Sequence, residues 1–109
     1  FVPLDAGGPL TVQAITQGKV TTGLVFSSSG SIQSNNLVLL TDDKNLQTAE
    51  NVTPALYTPA ASDTVKKALN SVSAALTTAE LQQLNQQVEV DRKDPKVVAS
   101  EFLKSKGLI

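Results

Sequence analysis

The stretch Val20–Asn51, VTTGLVFSSSGSIQSNNLVLLTDDKNLQTAEN, decides the fold. Val20 to Phe26 is rich in β-formers and runs straight into Ser27, Ser28, Ser29 and Gly30. Leu37 to Leu40 is a continuous apolar run. Such runs fit strands covered on both faces, as in the parallel sheets of α/β proteins. The reading is therefore strand, serine-rich loop, second strand, then a polar turn at Asp42–Glu50. Open α/β sheets bind small ligands outside the carboxyl ends of their strands. Phe26–Gly30 lies where that rule puts a ligand, and its three hydroxyls suit a polar one. Ser31–Ser34 has room for one short helical turn.

Working outward toward the amino end, Phe1–Leu4 reads as the end of a strand, because Pro3 is tolerated only at an edge or terminus. Asp5-Ala6-Gly7-Gly8-Pro9 is a turn that sets up a helix from about Pro9 to Gln17, with Pro at its first position and Gly18 as a left-handed stop. Free N–H groups at Gly7-Gly8 could hold an anion, although a tight strand-to-helix turn needs the same glycines. Gly23 marks a bulge or a close backbone approach within the first strand.

Toward the carboxyl end, Val52–Tyr57 reads as a further strand, at an edge because Pro54 falls inside it. Three helices follow. Ser62 caps the first, in which Val65, Ala68, Leu69, Val72, Ala75 and Leu76 share a face. Thr77-Thr78-Ala79-Glu80 is a capping box for the second, with Leu81, Leu84 and Val88 as a narrow apolar stripe and Val88–Val90 as an extended exit. Asp94-Pro95 opens the last, with Val97 or Val98, Phe102 and Leu103 inward and Gly107 closing it.

Composition bounds what this architecture can do. The 109 residues allow one domain-sized core, 40% apolar but only 4% aromatic. Net charge is −1 with no basic stripe, which argues against a nucleic-acid footprint. Histidine and cysteine are both absent, so the commonest general base, the commonest metal ligand and thiolate chemistry go with them. The missing Gly-x-Ser-x-Gly elbow argues further against a serine hydrolase. Asp42 and Asp43 are adjacent turn residues, a geometry that forms turns far more often than a metal site. No catalytic residue, metal site or cofactor is expected. No run approaches the roughly 18 apolar residues of a membrane span. Phe1 begins without a methionine or a charged leader, which is expected of a mature or truncated piece of something longer.

Several stretches carry a family likeness: LDAGGPLT, VFSSSGSI, LVLLTDDKNL, NVTP, and the long run ALNSVSAALTTAELQQLNQQVEVDRKDPKVVASEFLKSKGL. Together they span Leu4–Leu108 and resemble the carboxyl-terminal part of the substrate-binding proteins of osmoprotectant ABC importers, the glycine betaine, carnitine and choline group of the type II periplasmic-binding-protein fold. The resemblance implies parts of two lobes: residues 1–43 in the second, a hinge at 44–50, and residues 51–109 in the first, with Asp42, Asp43 and Lys44 as the hinge residues. It implies a non-enzymatic protein outside the cytoplasm, periplasmic or anchored to the outer membrane face through a leader absent here, with an ABC permease as partner. Family members cage a quaternary ammonium group in tyrosines by cation–π attraction. Two cage positions correspond to Phe26, which keeps an aromatic face, and Glu50, which offers a carboxylate instead. The ligand set implied is Phe26, Ser27, Ser28, Ser29 and Glu50, for a betaine-like or other polar solute. A piece holding parts of two lobes would expose apolar surface, so dimerisation or chain exchange is expected. The competing expectation is a structural or interaction module with no small-molecule ligand.

Overall fold

The structure is a computed structural model and describes residues 2–109. Phe1, read above as part of an edge strand, lies outside the described residues. Helices form where the sequence carries its own start and stop signals. Helix α1 spans Pro9–Thr16 and begins, as expected, with proline at its first turn. It ends at Gly18 (φ +66°), where Lys19 N donates to Ala14 O at 2.9 Å and Gly18 N to Ile15 O at 2.9 Å. These bonds satisfy carbonyls that the helix end would otherwise leave open. Helix α2 is the single turn Ser31–Ser34. After a 3₁₀ turn at Thr58–Ala60, helix α3 spans Asp63–Ala75 and is capped by Ser62 Oγ, which accepts from Val65 N at 3.3 Å.

Helix α4 spans Thr78–Asn85, with Thr77 Oγ1 accepting from Glu80 N at 3.2 Å. The reciprocal half of the capping box is not made. Glu80 Oε1 instead accepts from Lys106 Nζ at 2.6 Å, tying the start of α4 to the last helix. The expected extended exit at Val88–Val90 is a π-helical turn over Gln86–Val90, continuous with α4. Gln86 keeps helical dihedrals, so the β-branched Val88 and Val90 are carried along in a widened helix rather than released. Helix α5 spans Pro95–Ser105, capped by Asp94 Oδ1 accepting from Lys96 N at 2.7 Å and Val97 N at 3.4 Å. At Gly107 (φ +66°), Leu108 N donates to Leu103 O at 2.9 Å, as the sequence predicts.

The expected α/β sheet is absent among the described residues. Val20–Phe26, Leu37–Leu40 and Val52–Tyr57 carry no strand, and the backbone forms no ladder between them. The physical reason is partnership. A helix closes its hydrogen bonds within one segment, whereas a strand needs a second segment alongside it. Val20–Phe26 does lie close to α1: a Cβ at Gly23 would meet Thr11 Cγ2 at 2.8 Å, the close backbone approach expected there. Leu37–Leu40 has no such cover. Val38 is 83% and Leu40 71% exposed, where burial on both faces was expected.

Among the described residues the core is correspondingly small: Ala14, Ile32, Val98 and Phe102, with Thr11 as the buried polar residue. Val98 rather than Val97 turns inward on α5. The apolar face of α3 is present in sequence, but none of its residues is buried. The π turn is the hub, packing against α2, α4 and α5. The chain extends over 50 × 31 × 22 Å with a radius of gyration of 16.8 Å, against about 13 Å for a compact chain of this length. Its accessible surface is 8378 Å², against about 5,800 Å² for a folded monomer of this mass.

Candidate functional site

The serine loop is held from below by the hub. Ser29 N donates to Phe26 O at 2.9 Å, closing the turn. Ser29 Oγ and Ser31 Oγ lie 2.8 Å apart, and Ser31 N donates to Ser29 Oγ at 3.3 Å, so Ser29 helps start α2. From α4, Asn85 Nδ2 donates to Ser28 O at 2.8 Å and Gln82 Nε2 donates to Ser27 O. Gly30 is buried, and a Cβ there would run into the Gln86 backbone. The loop is therefore an anchored one, gripped through its carbonyls and packed through a glycine. Gln82 and Asn85 escaped the sequence reading. The signal was the amide-rich polar side of α4, but amides on a helix surface are common and carry no address.

Two hollows meet at this loop. The smaller, about 440 Å³, is lined by Phe26, Ser27, Ser28 and Glu50, with Leu76 and Leu81 among its apolar wall. It brings together four of the five residues named as a ligand set. Ser29 lies instead on the larger hollow, about 800 Å³, which it shares with Phe26, Ser28, Asn85, Glu89 and Arg92. Phe26 is 58% exposed, so its ring face is open to a bound molecule, and Ser27 and Glu50 are exposed as well.

Asp42, Asp43 and Lys44 line neither hollow. Asp42 Oδ2 accepts from Gln47 N at 2.8 Å, and Asn45 takes a left-handed φ of +52°, which an asparagine tolerates. The backbone N–H of Gln47, followed by that of Leu46, holds the Asp42 carboxyl below its ordinary range. This is a self-bonded turn, in keeping with reading the Asp pair as turn-formers. No group of three or more metal-binding side chains occurs among the described residues.

The amino end of α1 is not open to an anion. Gly8 offers no side-chain cap, and Asp5 reaches back to do that work. Its Oδ2 accepts from Leu10 N at 3.0 Å, and its Oδ1 from Thr11 N and Thr11 Oγ1, each at 2.8 Å. Partial desolvation raises the Asp5 pKa most, yet the hydrogen bonds from Leu10 and Thr11 together outweigh it, and the carboxyl sits below its ordinary range. The helix thus supplies its own anion, which leaves Gly7-Gly8 the plainer of its two readings, a tight turn into the helix. A cap three residues upstream of the N-cap position falls outside the usual sequence signature.

Comparison with known proteins places this geometry in context. Residues 2–105 match the family profile described as the substrate-binding domain of ABC-type glycine betaine transport systems. The carnitine transport binding protein OpuCC of Listeria monocytogenes serotype 1/2a (strain 10403S) is 30% identical over 108 residues, covering 93% of this chain and 33% of that protein. The protein of the same name described for Listeria monocytogenes without a strain shows the same identity and coverage. The chain thus spans about a third of the length of the curated relatives it matches. No solved structure matches it. Among the described residues, no helix is long and apolar enough to cross a membrane. The matched family is one of binding domains and not of enzymes. With its match running through nearly every described residue, the chain belongs to the substrate-binding domain family of ABC-type glycine betaine transport systems.

Proposed function

We propose that the protein serves as part of the extracytoplasmic solute-binding component of an ABC importer, holding a small polar or quaternary-ammonium osmoprotectant between two lobes without chemistry. The observation that carries this reading is the hollow of about 440 Å³ walled jointly by Phe26, Ser27, Ser28 and Glu50, in a chain of this family. Its size lies within the usual range for small-ligand pockets. The Phe26 ring offers a π-face to an ammonium group, and the Glu50 carboxylate adds attraction that water screens least once the solute is enclosed. The serine hydroxyls orient polar substituents. The Asp42–Glu50 segment acts as the hinge crossing between lobes, with Asp42, Asp43 and Lys44 at its start. Hinge closure around the solute creates the shape that an ABC permease recognises.

The test uses the longer parent protein. Glycine betaine, carnitine, choline and an uncharged sugar are titrated by calorimetry. Saturable binding of at least one of the three osmolytes, weakened by Phe26→Ala, is expected. Indifference to the whole panel would remove the reading and favour an interaction module without a ligand.

A further inference from the structure

The segment Leu37–Leu40 is held at both ends and open between them. Leu37 N donates to Ile32 O at 2.9 Å, which ties its start to a buried residue of α2. Beyond its end, the bond from Gln47 N to Asp42 Oδ2 closes the polar turn. Between these anchors, Val38, Leu39 and Leu40 form no backbone hydrogen bond among the described residues, and all three are exposed, Leu39 the least. Ser31–Thr41 contains no charged residue and no proline. Lysine and proline are what ordinarily blunt an unpaired strand against association, so this run is unprotected. The exposed surface is also large in amount. It exceeds that of a folded monomer of this mass by about 2,600 Å², whereas a stable interface takes only about 800 Å² from each partner. Leu46, Val52 and Tyr57 add exposed apolar area in the same stretch of chain.

We infer that Leu37–Leu40 pairs antiparallel with the same segment of a second copy of this chain, forming a twofold-symmetric dimer. The inference goes beyond the solute-binding function and does not depend on it. An apolar run leaves water only when its N–H and C=O groups find partners, and an identical copy supplies a segment of matching length and chemistry. Pairing centred on Leu39 sets Val38 of each copy opposite Leu40 of the other on one face, and Leu39 opposite itself. It carries Asp42 of each copy toward the uncharged Asn36 of the other. Parallel pairing would instead set Asp42 and Asp43 against their own copies, and like charges directly opposite repel. Val52–Tyr57 is the poorer pairing segment, because Pro54 lacks an N–H donor. A contact that uses the same patch on both chains closes at two.

The experiment measures the mass of the 109-residue chain by sedimentation over about a hundredfold range of concentration, without ligand. A reversible shift from 11.4 kDa to twice that mass is expected. Val38→Lys should weaken the dimer at least about tenfold by setting charge into the ladder, while Val97→Lys, equally exposed to solvent but on α5, leaves it within about twofold. In the dilute monomer Val38 has little burial to lose, so helix content by circular dichroism should match the wild type. The chain has no cysteine, which makes cross-linking a second readout. Leu39→Cys should form an intermolecular disulfide on mild oxidation, since directly opposed residues lie within disulfide reach, and Leu46→Cys should do so far more slowly. A chain monomeric throughout, open-ended association, equal weakening by both lysines or equal cross-linking of both cysteines would each overturn the assignment. So would a dimer that dissolves in favour of a mixed complex when the amino-terminal portion of the longer parent is added, which would give the surface to that portion.

Discussion

Thr77–Leu108 and Leu37–Tyr57 contain similar kinds of apolar residue and meet opposite fates. The first region makes α4, the π turn and α5 in succession, each capped or continuous with its neighbour, and it buries Val98 and Phe102. The second leaves Val38, Leu46, Val52 and Tyr57 each at least 70% exposed. The difference lies in where each element finds its hydrogen-bond partners. A helix needs only its own next turn, and a π turn adjusts the winding without breaking the ladder. A strand is half of a structure. Burial follows hydrogen bonding here, since an apolar run cannot leave water while its N–H and C=O groups go unpaired.

That contrast can be broken most directly at its packed end. Gly30→Ala forces a methyl group against the Gln86 backbone and should separate the serine loop and α2 from the π turn. Overpacking of this kind costs about 1–3 kcal/mol, read as a lower urea midpoint, and an unmoved midpoint would mean that the hub is looser than its geometry. A narrower effect comes with acid. The Asp5 carboxyl is held below its ordinary value of 3.8, so its ionised form supports the folded state. That support is present above the unfolded value and is lost as pH falls through the lower folded one. Amide protection at Leu10 and Thr11, relative to the intrinsic exchange rate, should therefore fall below about pH 3.8 in the wild type, and Asp5→Asn should remove the transition. A transition that survives the substitution would assign it elsewhere. The smallest effect is expected in the unladdered region. Val38→Ser should change stability by no more than about 0.5 kcal/mol, because Val38 has little burial to lose. A loss of several times that size would show that Leu37–Leu40 is covered after all.

Where the sequence reading succeeded, the information was local. Pro9 and Gly18 bracket α1, Ser62, Thr77 and Asp94 open the later helices, and Gly107 closes the last. Each signal acts within one turn of the residue that carries it, so neighbours in sequence suffice to read it. The misreadings share a different cause. Asp5 caps α1 from outside the usual cap position, Glu80 turns to Lys106 rather than back to Thr77, and Val88 and Val90 follow the π turn. In each case a local preference was outbid by a contact or a geometry set elsewhere.

The site divides along the same line. Phe26 and the three serines were legible as a loop at the end of an apolar segment. That Phe26 shares a hollow with Glu50, while Ser29 looks onto another, was not. Nor was the grip of Gln82 and Asn85 on the loop, across more than fifty residues of chain.

By itself, then, the sequence determined the starts of the longer helices, the glycine stops of α1 and α5 and the absence of histidine and cysteine chemistry, because those depend on residue type and near neighbours. Only the tertiary structure decided which residues share a cavity and whether an extended run becomes a strand. Both are matters of what lies alongside a segment in space, and a one-dimensional pattern carries no record of that.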